Sequence, residues 1–285
     1  MAAQVGKILE WLDAYYPFRF AESWDNCGLL VGDPGDPVEK ILVALDVGSD
    51  VLAEAQLLRC QCIVTHHPLL FQPIRAVRAD VFPGNLVIGA IRNGINLVAA
   101  HTNLDAAVGG TNDALSDRLS LREARPLEVD PAMAGARSYG GMGRLGRLDR
   151  EMSLDELAGW LGGILGGIPV RMVGDPRMRV QTTALCTGSG SSLMKQALAA
   201  GARAFVTGDL KYHDAQWAVE AGLGVIDVGH FASERLIVEP LAARLRKCSE
   251  DEGFQTDVVV SNQERDPFQA RGPSFREQSK ETHLA

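Results

Sequence analysis

The feature that most constrains the fold is a regular alternation of short apolar runs with helical patterns. The apolar runs are four to eight residues long and predict strands at 40–47, 62–65, 95–100, 182–186, 204–207, 224–228 and 257–260. Helices are predicted between them, at 50–59, 85–93, 111–119, 153–161, 191–200, 214–221 and 233–245. Thr111 and Ser153 are predicted helix caps. This alternation is typical of α/β proteins with mainly parallel sheets.

Three segments of the first part of the chain recur, in the same order, in the second part. VALDVGSDVLAEAQ from Val43 aligns with TALCTGSGSSLMKQ from Thr183, CIVTHH with AFVTGD, and GINLVAAHTNLD with GLGVIDVGHFASE. Three ordered matches favour an internal duplication. We therefore predict two similar α/β halves, at 1–125 and 126–262, with a functional site in the cleft between them.

The segments outside these repeats complete the predicted organisation. The stretch 122–141 is rich in proline, glycine and alanine, and therefore fits a boundary between the halves. The last long helix is able to pack on the first half. Residues 263–285 are polar and predict a disordered tail, in which His283 has no role.

Histidines follow two predicted strands of the first half. His66 and His67 come directly after the strand at 62–65, and His101 follows the next strand, with Asp105 four residues later. A lone histidine at a strand end is usually a structural residue that makes a hydrogen bond. A pair of histidines, followed by a histidine–carboxylate pair at helical spacing, is more typical of a metal site.

The second half repeats the histidine–carboxylate pair after its own strand at 224–228. His230 is followed four residues later by Glu234. Because ligands gather beyond the carboxyl ends of parallel strands, we expect the side chains at these strand ends to ligate metal together. The predicted ligands are His66, His67, His101, Asp105, His230 and Glu234.

The donor types narrow the metal and its chemistry. Imidazole with carboxylate suits Zn, Fe, Mn, Co or Ni better than a soft thiolate site would. Six donors exceed what one open tetrahedral ion needs and are enough for two divalent ions that share a carboxylate and a water. Such a pair would hold a bridging hydroxide at neutral pH and polarise a carbonyl or phosphoryl oxygen, which is the equipment of a metal-dependent hydrolase.

Charge and cysteine content restrict the partners and the compartment. The net charge of −8 makes nucleic acid an unlikely partner, because a polyanion needs a basic track. The N-terminus lacks the order of a signal peptide, and no apolar run is long enough to span a membrane. Five cysteines in an acidic chain favour reduced thiols and a cytoplasmic location. Cys60 and Cys62 are predicted core residues rather than metal ligands.

Six motifs together resemble the Nif-three-like proteins, also labelled GTP cyclohydrolase 1 type 2 homologues, a family with a dinuclear metal centre. The matching stretches, from residue 22 to residue 235, are ESWDNCGLLVGDP, VTHHPLLF, AAHTNLDAAVGGTNDALSDRL, TGSGSSL, TGDLKYHDA and GHFASER. The resemblance implies a two-domain α/β fold, a pair of divalent ions held by the six residues named above, and a toroidal homohexamer. It also implies GTP cyclohydrolysis, with opening of the purine five-membered ring.

Four further motifs each have a functional and a structural interpretation. The GGMGRLG stretch at 140–146 has dinucleotide-binding spacing, but it lacks the strand and helix of that motif, which favours an irregular strand. The TGSGSSL loop is either a phosphate contact or a tight turn with a cap. In the KYHD stretch, His213 is a candidate acid or base and Lys211 a candidate phosphate contact; the alternative is a solvated helix start. Asp25 and Asn26 either orient a ligand histidine or cap a turn.

Three functions remain open from the sequence. The first is a dinuclear metal-dependent hydrolase, with two ions as cofactors, that acts on a small nucleotide-like heterocycle or phosphate compound such as GTP. The second is a non-enzymatic protein of metal storage, metal delivery or interaction. The third is a two-metal phosphoesterase.

Overall fold

The computed structural model describes residues 1–130 and 140–269 of the chain. The strands, in chain order, are β1 (Ala3–Gln4), β2 (Gly28–Val31), β3 (Pro37–Val38), β4 (Lys40–Ala44), β5 (Cys62–Thr65), β6 (Asn96–Ala99), β7 (Arg122–Glu128), β8 (Met142–Ser153), β9 (Arg171–Val173), β10 (Arg179–Leu185), β11 (Ala204–Thr207), β12 (Gly224–Asp227) and β13 (Asp257–Val260). The helices are α1 (Val5–Tyr15), α2 (Ser49–Leu57), α3 (Gly84–Arg92), α4 (Thr102–Ala106), α5 (Thr111–Arg118), α6 (Leu154–Ile164), α7 (Met194–Ala199), α8 (Tyr212–Ala221), α9 (His230–Glu234) and α10 (Val238–Asp251).

The first large sheet has the strand order β13-β4-β5-β6-β2. Strands β13, β4, β5 and β6 are parallel, and β2 is antiparallel to β6 at one edge. Their short runs of β-branched and other apolar residues are buried, as expected for strands covered on both faces. Helices α1 and α10 pack on one face and α2 and α3 on the other.

The second large sheet has the order β7-β8-β10-β11-β12-β9. Its centre, β10-β11-β12, is parallel, whereas β8 and β9 run antiparallel to their neighbours β10 and β12. Each sheet therefore contains three parallel strands in chain order, with an antiparallel strand beyond the third. The mixed α/β class predicted from the sequence is confirmed.

The sheets divide the chain differently from the predicted halves. Helix α10 packs on the first half, which the sequence allowed for, but strand β13 also pairs with β4 in the first sheet, so the end of the chain returns to the first half instead of completing the second. Strand β7 pairs with β8 in the second sheet, so a boundary at residue 125 would cut through it. Strand order depends on long-range pairing. For this reason the order of segments in the sequence did not reveal that β13 belongs to the first sheet and β7 to the second.

Two other predictions concern the link and the tail. Residues 131–139 of the link and 270–285 of the tail, with His283, lie outside the described residues. Residues 263–269 are described, and within them the Glu264 side chain is only 3% exposed. The predicted disordered tail therefore starts too early, because this segment makes specific contacts.

Local signals in the sequence explain several element boundaries. Ser153 forms the predicted cap of α6, in a capping box with Glu156. Thr111 is not a cap: Gly110 holds that position, and the Thr111 hydroxyl bonds to Asp105 instead. The GGMGRLG stretch enters strand β8, as the structural interpretation predicted. In the described part of the chain, no helix is long and apolar enough to cross a bilayer.

Candidate metal centre

The first sheet delivers four donors at the carboxyl ends of adjacent strands. His66 and His67 follow β5 directly, and His101 lies two residues after β6. The short helix α4 begins after His101 and brings Asp105 to the same side. Parallel strands end at a common edge of the sheet, and for this reason two separate stretches of sequence place their polar side chains together.

The second sheet delivers two donors from one short helix. Strand β12 ends at Asp227, and Gly229 turns the chain with a φ of 81° into α9. His230 and Glu234 stand at the first and last positions of α9, one helical turn apart, and their side chains contact each other at 3.0 Å.

All six predicted ligands converge. Three groups of side chains each have donor atoms within 4.8 Å of one another: His66, His67 and His101; His67, His230 and Glu234; and His66, Asp105 and Glu234. The groups share His66, His67 and Glu234. Each shared histidine has a single free nitrogen, so Glu234, with two oxygens, is the shared side chain that two neighbouring ions could have in common.

Glu234 is the centre of this arrangement. Its Oε2 lies 3.0 Å from Nε2 of His67 and 3.0 Å from Nε2 of His230, and its Oε1 lies 3.7 Å from Nε2 of His66. Glu234 is 4% exposed. One carboxylate of the second half thus faces two histidines of the first.

The Nδ1 atom of every candidate ligand histidine is held by an acceptor. Asp46 is 2.9 Å from His67 Nδ1, Asp25 is 2.8 Å from His101 Nδ1, and Asp209 is 2.7 Å from His230 Nδ1. The fourth, His66, bonds to the carbonyl of Ala100 at 2.9 Å. An engaged Nδ1 leaves Nε2 as the free donor, and such partners orient and strengthen metal-binding histidines.

Asp25 and Asn26 have different roles. The buried Asp25 carboxylate accepts from His101 and, through Oδ2, from the Thr102 backbone and hydroxyl. Asn26 donates to the Leu70 carbonyl and does not touch a histidine. The geometry therefore supports the orienting interpretation for Asp25, whereas Asn26 fastens a loop.

The supporting residues Asp46 and Asp209 were not predicted from the sequence. Each lies two residues after the end of a strand, Asp46 after β4 and Asp209 after β11. Asp209 occupies the repeat position that His67 occupies in CIVTHH. That alignment was the signal that could have found it.

The protonation of the cluster follows from its burial and its pairing. Burial alone would lower the pKa of His67, but hydrogen bonds with Asp46 and Glu234 outweigh it and raise that pKa to about 10. The hydrogen bond with Glu234 raises the pKa of His230 to about 9. Burial opposes ionisation of Glu234, yet its hydrogen bond with His230 and the positive charge of nearby His66 hold its pKa well below the ordinary value. Burial raises the pKa of Asp105.

One observation in particular indicates that these residues fit a metal. Nε2 of His66 is fully buried and has no hydrogen-bond partner among the described residues. A buried polar nitrogen normally has a partner, because leaving it unpaired costs about 1–3 kcal/mol. Here that nitrogen points toward Asp105 and Glu234, at 3.6 and 3.7 Å. An ion between these donors would satisfy all three.

A cavity of about 600 Å³ opens beside the cluster. Residues of both halves line it, among them His67, His101, Asp105, His230 and Glu234. Trp24 and Phe71 form one wall; their rings contact edge to face, with centroids 5.8 Å apart, and both contact His101. These two side chains are 59% and 42% exposed. The centre is therefore open to a small molecule on an aromatic side.

The other predicted site residues lie differently. Lys211 and His213 are exposed and do not line this cavity, and His213 pairs with Gln216 on its own helix. The TGSGSSL loop does line it, through Ser189, Gly190 and Ser192.

The loop uses several of its N–H groups within the protein. Those of Thr187, Gly188 and Gly190 donate to Asn112, Ser233 and Thr207. These contacts favour the tight-turn interpretation over a phosphate cradle.

Cys60 and Cys62 lie in the core, as predicted. Cys60 and Cys62 are buried at 3% and 0% exposure, and burial raises the pKa of Cys60 to about 11 and that of Cys62 further. Neutral thiols in an apolar core are poor metal ligands.

Comparison with known families gives a match along nearly the whole chain. The family model described as Duf34/NIF3 (NGG1p interacting factor 3) matches residues 3–267. A protein of Streptomyces coelicolor named GTP cyclohydrolase 1 type 2 homolog is 37% identical over 94% of this chain and 94% of its own length. A Clostridium perfringens protein of the same name is 33% identical over 93% of this chain and 99% of its own length.

Solved structures agree with this match. The crystal structure of a hypothetical protein from Staphylococcus aureus superposes with a TM-score of 0.88 at 30% identity, over 95% of this chain and all of the other. A Bacillus cereus protein related to NIF3 also gives a TM-score of 0.88, at 25% identity, over 95% of this chain and 100% of its own.

Proposed function

The chain belongs to the Duf34/NIF3 family, and from that premise we propose that it is a dinuclear, divalent-metal-dependent hydrolase of a small nucleotide-like heterocycle. The convergence of six nitrogen and oxygen donors around Glu234 carries this proposal. His67 and His230 with Glu234 would hold one ion, and His66 and Asp105 with Glu234 the other. His101 stands beside His66 and His67. Zn, Fe, Mn, Co and Ni all suit these donors.

A bound pair of ions would supply a water of lowered pKa and an electrophile for a carbonyl or phosphoryl oxygen. Other residues of the chain would hold the metal ligands in position. Asp25, Asp46 and Asp209 fix three imidazoles in the tautomer that leaves Nε2 free. The Thr111 hydroxyl donates to Asp105 and keeps that carboxylate facing the centre.

The wall of the cavity suggests which part of a substrate the chain would recognise. Trp24 and Phe71 offer apolar ring faces and edges next to the donors. No lysine or arginine is found among the described residues that line the cavity, which carries Glu22 and Glu128 instead. A flat ring stacked on the aromatic wall therefore suits the site better than a polyphosphate does. This distribution of charge also counts against a nucleic-acid phosphodiester as substrate.

A non-enzymatic role in metal binding or delivery is the second candidate, and one observation favours it. Lys211 and His213, which would have provided catalytic groups unnecessary in a metal store, do not line the cavity of the single chain. Their catalytic roles stay predictions. A store would exchange its ions readily and hand them to an acceptor without turning over any nucleotide.

The test incubates purified protein, loaded in turn with Mn, Zn and Fe, with GTP and with guanosine. The expected result is formate and a ring-opened purine with at least one metal, reduced in the Trp24→Ala variant because base–aromatic stacking contributes about 1–3 kcal/mol. Arg150→Ala, at an exposed position away from the cavity, is the matched control. Two bound ions without product from either compound would contradict the GTP assignment and favour the second candidate.

Two further expectations belong to this proposal. The family resemblance implies a homohexamer, and a sixfold mass in solution would support it. The five free thiols support a reducing, cytoplasmic location.

A further inference from the structure

A glutamate near the end of the described chain contacts both halves beside the centre. Glu264 follows β13, and its side chain is 3% exposed. One carboxylate oxygen, Oε1, accepts from the backbone N–H groups of Leu45 and Asp46, the latter at 2.9 Å. The other, Oε2, pairs with Nε of Arg235 at 3.2 Å. A buried carboxylate is costly unless it is paired in this way.

Each of these partners stands next to a residue of the candidate metal centre. Asp46 is the residue whose carboxylate holds Nδ1 of His67, at 2.9 Å. Arg235 directly follows Glu234 in the chain. Through its two oxygens, Glu264 therefore fixes the loop that orients a histidine of the first half and the helix end that carries the carboxylate of the second.

Both arms lead to the same group of donors. The Asp46 arm acts on His67 and the Arg235 arm on Glu234. Both side chains belong to the His67–His230–Glu234 group. The other shared group depends on different supports, since Nδ1 of His66 bonds to the Ala100 carbonyl and Asp105 accepts from Thr111. Glu234 belongs to both groups, but only the group with His67 is reached by both arms, so a change at Glu264 should disturb that ion position more than its neighbour.

We propose that Glu264 is a positioning residue, a two-armed clamp that sets the His67–His230–Glu234 group and thereby the affinity of one of the two ion positions. The inference rests on the proposed metal centre. It assigns a specific role to the segment after β13, which in sequence is indistinguishable from a polar tail.

The alternative is that Glu264 only anchors the end of the chain, and the molecule contains a matched control for that role. Glu54, on α2, is 9% exposed and holds the same segment through the Ser261 hydroxyl and the Asn262 N–H, at 2.5 and 3.1 Å. Glu54 contacts no residue of the candidate centre. If anchoring were the whole role, loss of either glutamate would have the same effect on the metal.

The experiment compares the full-length chain with its Glu264→Gln, Glu264→Ala and Glu54→Gln variants. Metal-free protein is titrated with Co²⁺, and the visible spectrum and the two dissociation constants are recorded, together with thermal unfolding of the metal-free forms. Gln at 264 keeps an oxygen for the two backbone N–H groups and loses the ion pair with Arg235. Ala loses both arms. The difference in metal affinity between the Gln and Ala variants therefore separates the contribution of the backbone arm from that of the Arg235 arm.

The expected result is that Glu264→Gln weakens one Co²⁺ site about 10-fold and Glu264→Ala about 100-fold, the range for loss of a partner behind the metal ligands. The second site should weaken less than the first, and the Glu54→Gln protein should match the wild type at both sites. The clamp is contradicted if the Glu264 variants bind both ions like the wild type, or if Glu54→Gln weakens the same site as much. Absence of Co²⁺ binding by the wild type would instead overturn the proposed metal centre itself.

Discussion

The two halves of the molecule contribute unequally to the candidate metal centre. Each has three parallel strands in chain order and presents polar residues beyond their carboxyl ends. The first half supplies four donors and the second supplies two. Where His67 follows β5, the corresponding place after β11 holds Asp209, which supports His230 instead of binding at the centre. The same strand-end position can therefore provide either a ligand or the partner that orients one.

The smaller contribution of the second half is also the more central one. Glu234 contacts three histidines, two of them from the first half. Without the second half, the first would keep the His66–His67–His101 group but would lose the carboxylate that both proposed ion positions share, and the donors of the second half number only two.

The largest effect is expected at this shared carboxylate. Glu234→Ala should weaken the binding of both ions by more than the roughly 100-fold that loss of an outer partner costs, because both proposed ion positions include this carboxylate. Metal content per chain after dialysis measures the outcome. Glu128→Gln, which removes a carboxylate from the cavity wall away from the donors, should retain both ions. Full metal content in Glu234→Ala would disprove the central position of this residue.

The glycines of the two aligned strand–turn stretches differ in the space around them. An added Cβ at Gly188 would lie 2.1 Å from Oε1 of Glu234, whereas one at Gly48, its counterpart in the first half, meets nothing within 4 Å. Gly188→Ala should displace Glu234 and weaken metal binding about 100-fold, also because its φ of 61° disfavours a side chain. Gly48→Ala should bind like the wild type. Equal affinities of the two variants, measured by titration calorimetry, would show that the turns are equivalent.

The orienting aspartates should differ by their burial. The Asp25 side chain is 0% exposed and that of Asp209 46% exposed. Asp25→Asn should therefore lower the metal affinity by about 100-fold and Asp209→Asn by about 10-fold. The loss is smaller at Asp209 because water can partly replace the hydrogen bond of an exposed carboxylate. Competition with a fluorescent chelator gives both values. A larger loss at Asp209 would mean that the second half depends more on its support than its exposure indicates.

A change of pH acts on histidines of both halves at once. In the metal-free protein the pKa values of His67 and His230 are raised, to about 10 and about 9. Both imidazoles are therefore doubly protonated and positively charged at pH 7. Metal binding must displace these protons, so affinity should rise up to about tenfold per pH unit for each proton released, until pH passes 9–10.

The same groups should make the metal-free fold depend on pH in the opposite sense. A pKa raised above the unfolded value of 6.5 stabilises the fold below that pH, and the contribution is lost as pH rises through 9 and 10. Thermal unfolding of the metal-free protein between pH 6 and 10 should therefore show decreasing stability. Increasing stability over that range would contradict the charged histidine–carboxylate cluster.

Sequence patterns predicted the parts of this molecule that depend on local signals. The parallel strands β5, β11 and β13 were found at their observed bounds, because short β-branched runs between turns are distinctive. The six convergent side chains were found because strand ends of a parallel sheet share one edge.

What depends on distant contacts escaped prediction. Nothing near β13 in the sequence indicates that it pairs with β4, and nothing in the sequence around Glu264 indicates a buried carboxylate. The orienting residues Asp46 and Asp209 are ordinary aspartates after a strand, and only the folded arrangement brings them to an imidazole nitrogen.

Anomalous diffraction from metal-loaded crystals is a direct test of whether donors of both halves together hold a pair of ions. Data collected at the absorption edge of Zn or Mn should show two peaks a few ångströms apart, both next to Glu234, with His67 and His230 on one and His66 and Asp105 on the other. A single peak bound only by residues of one half, or no peak near Glu234, would contradict the account.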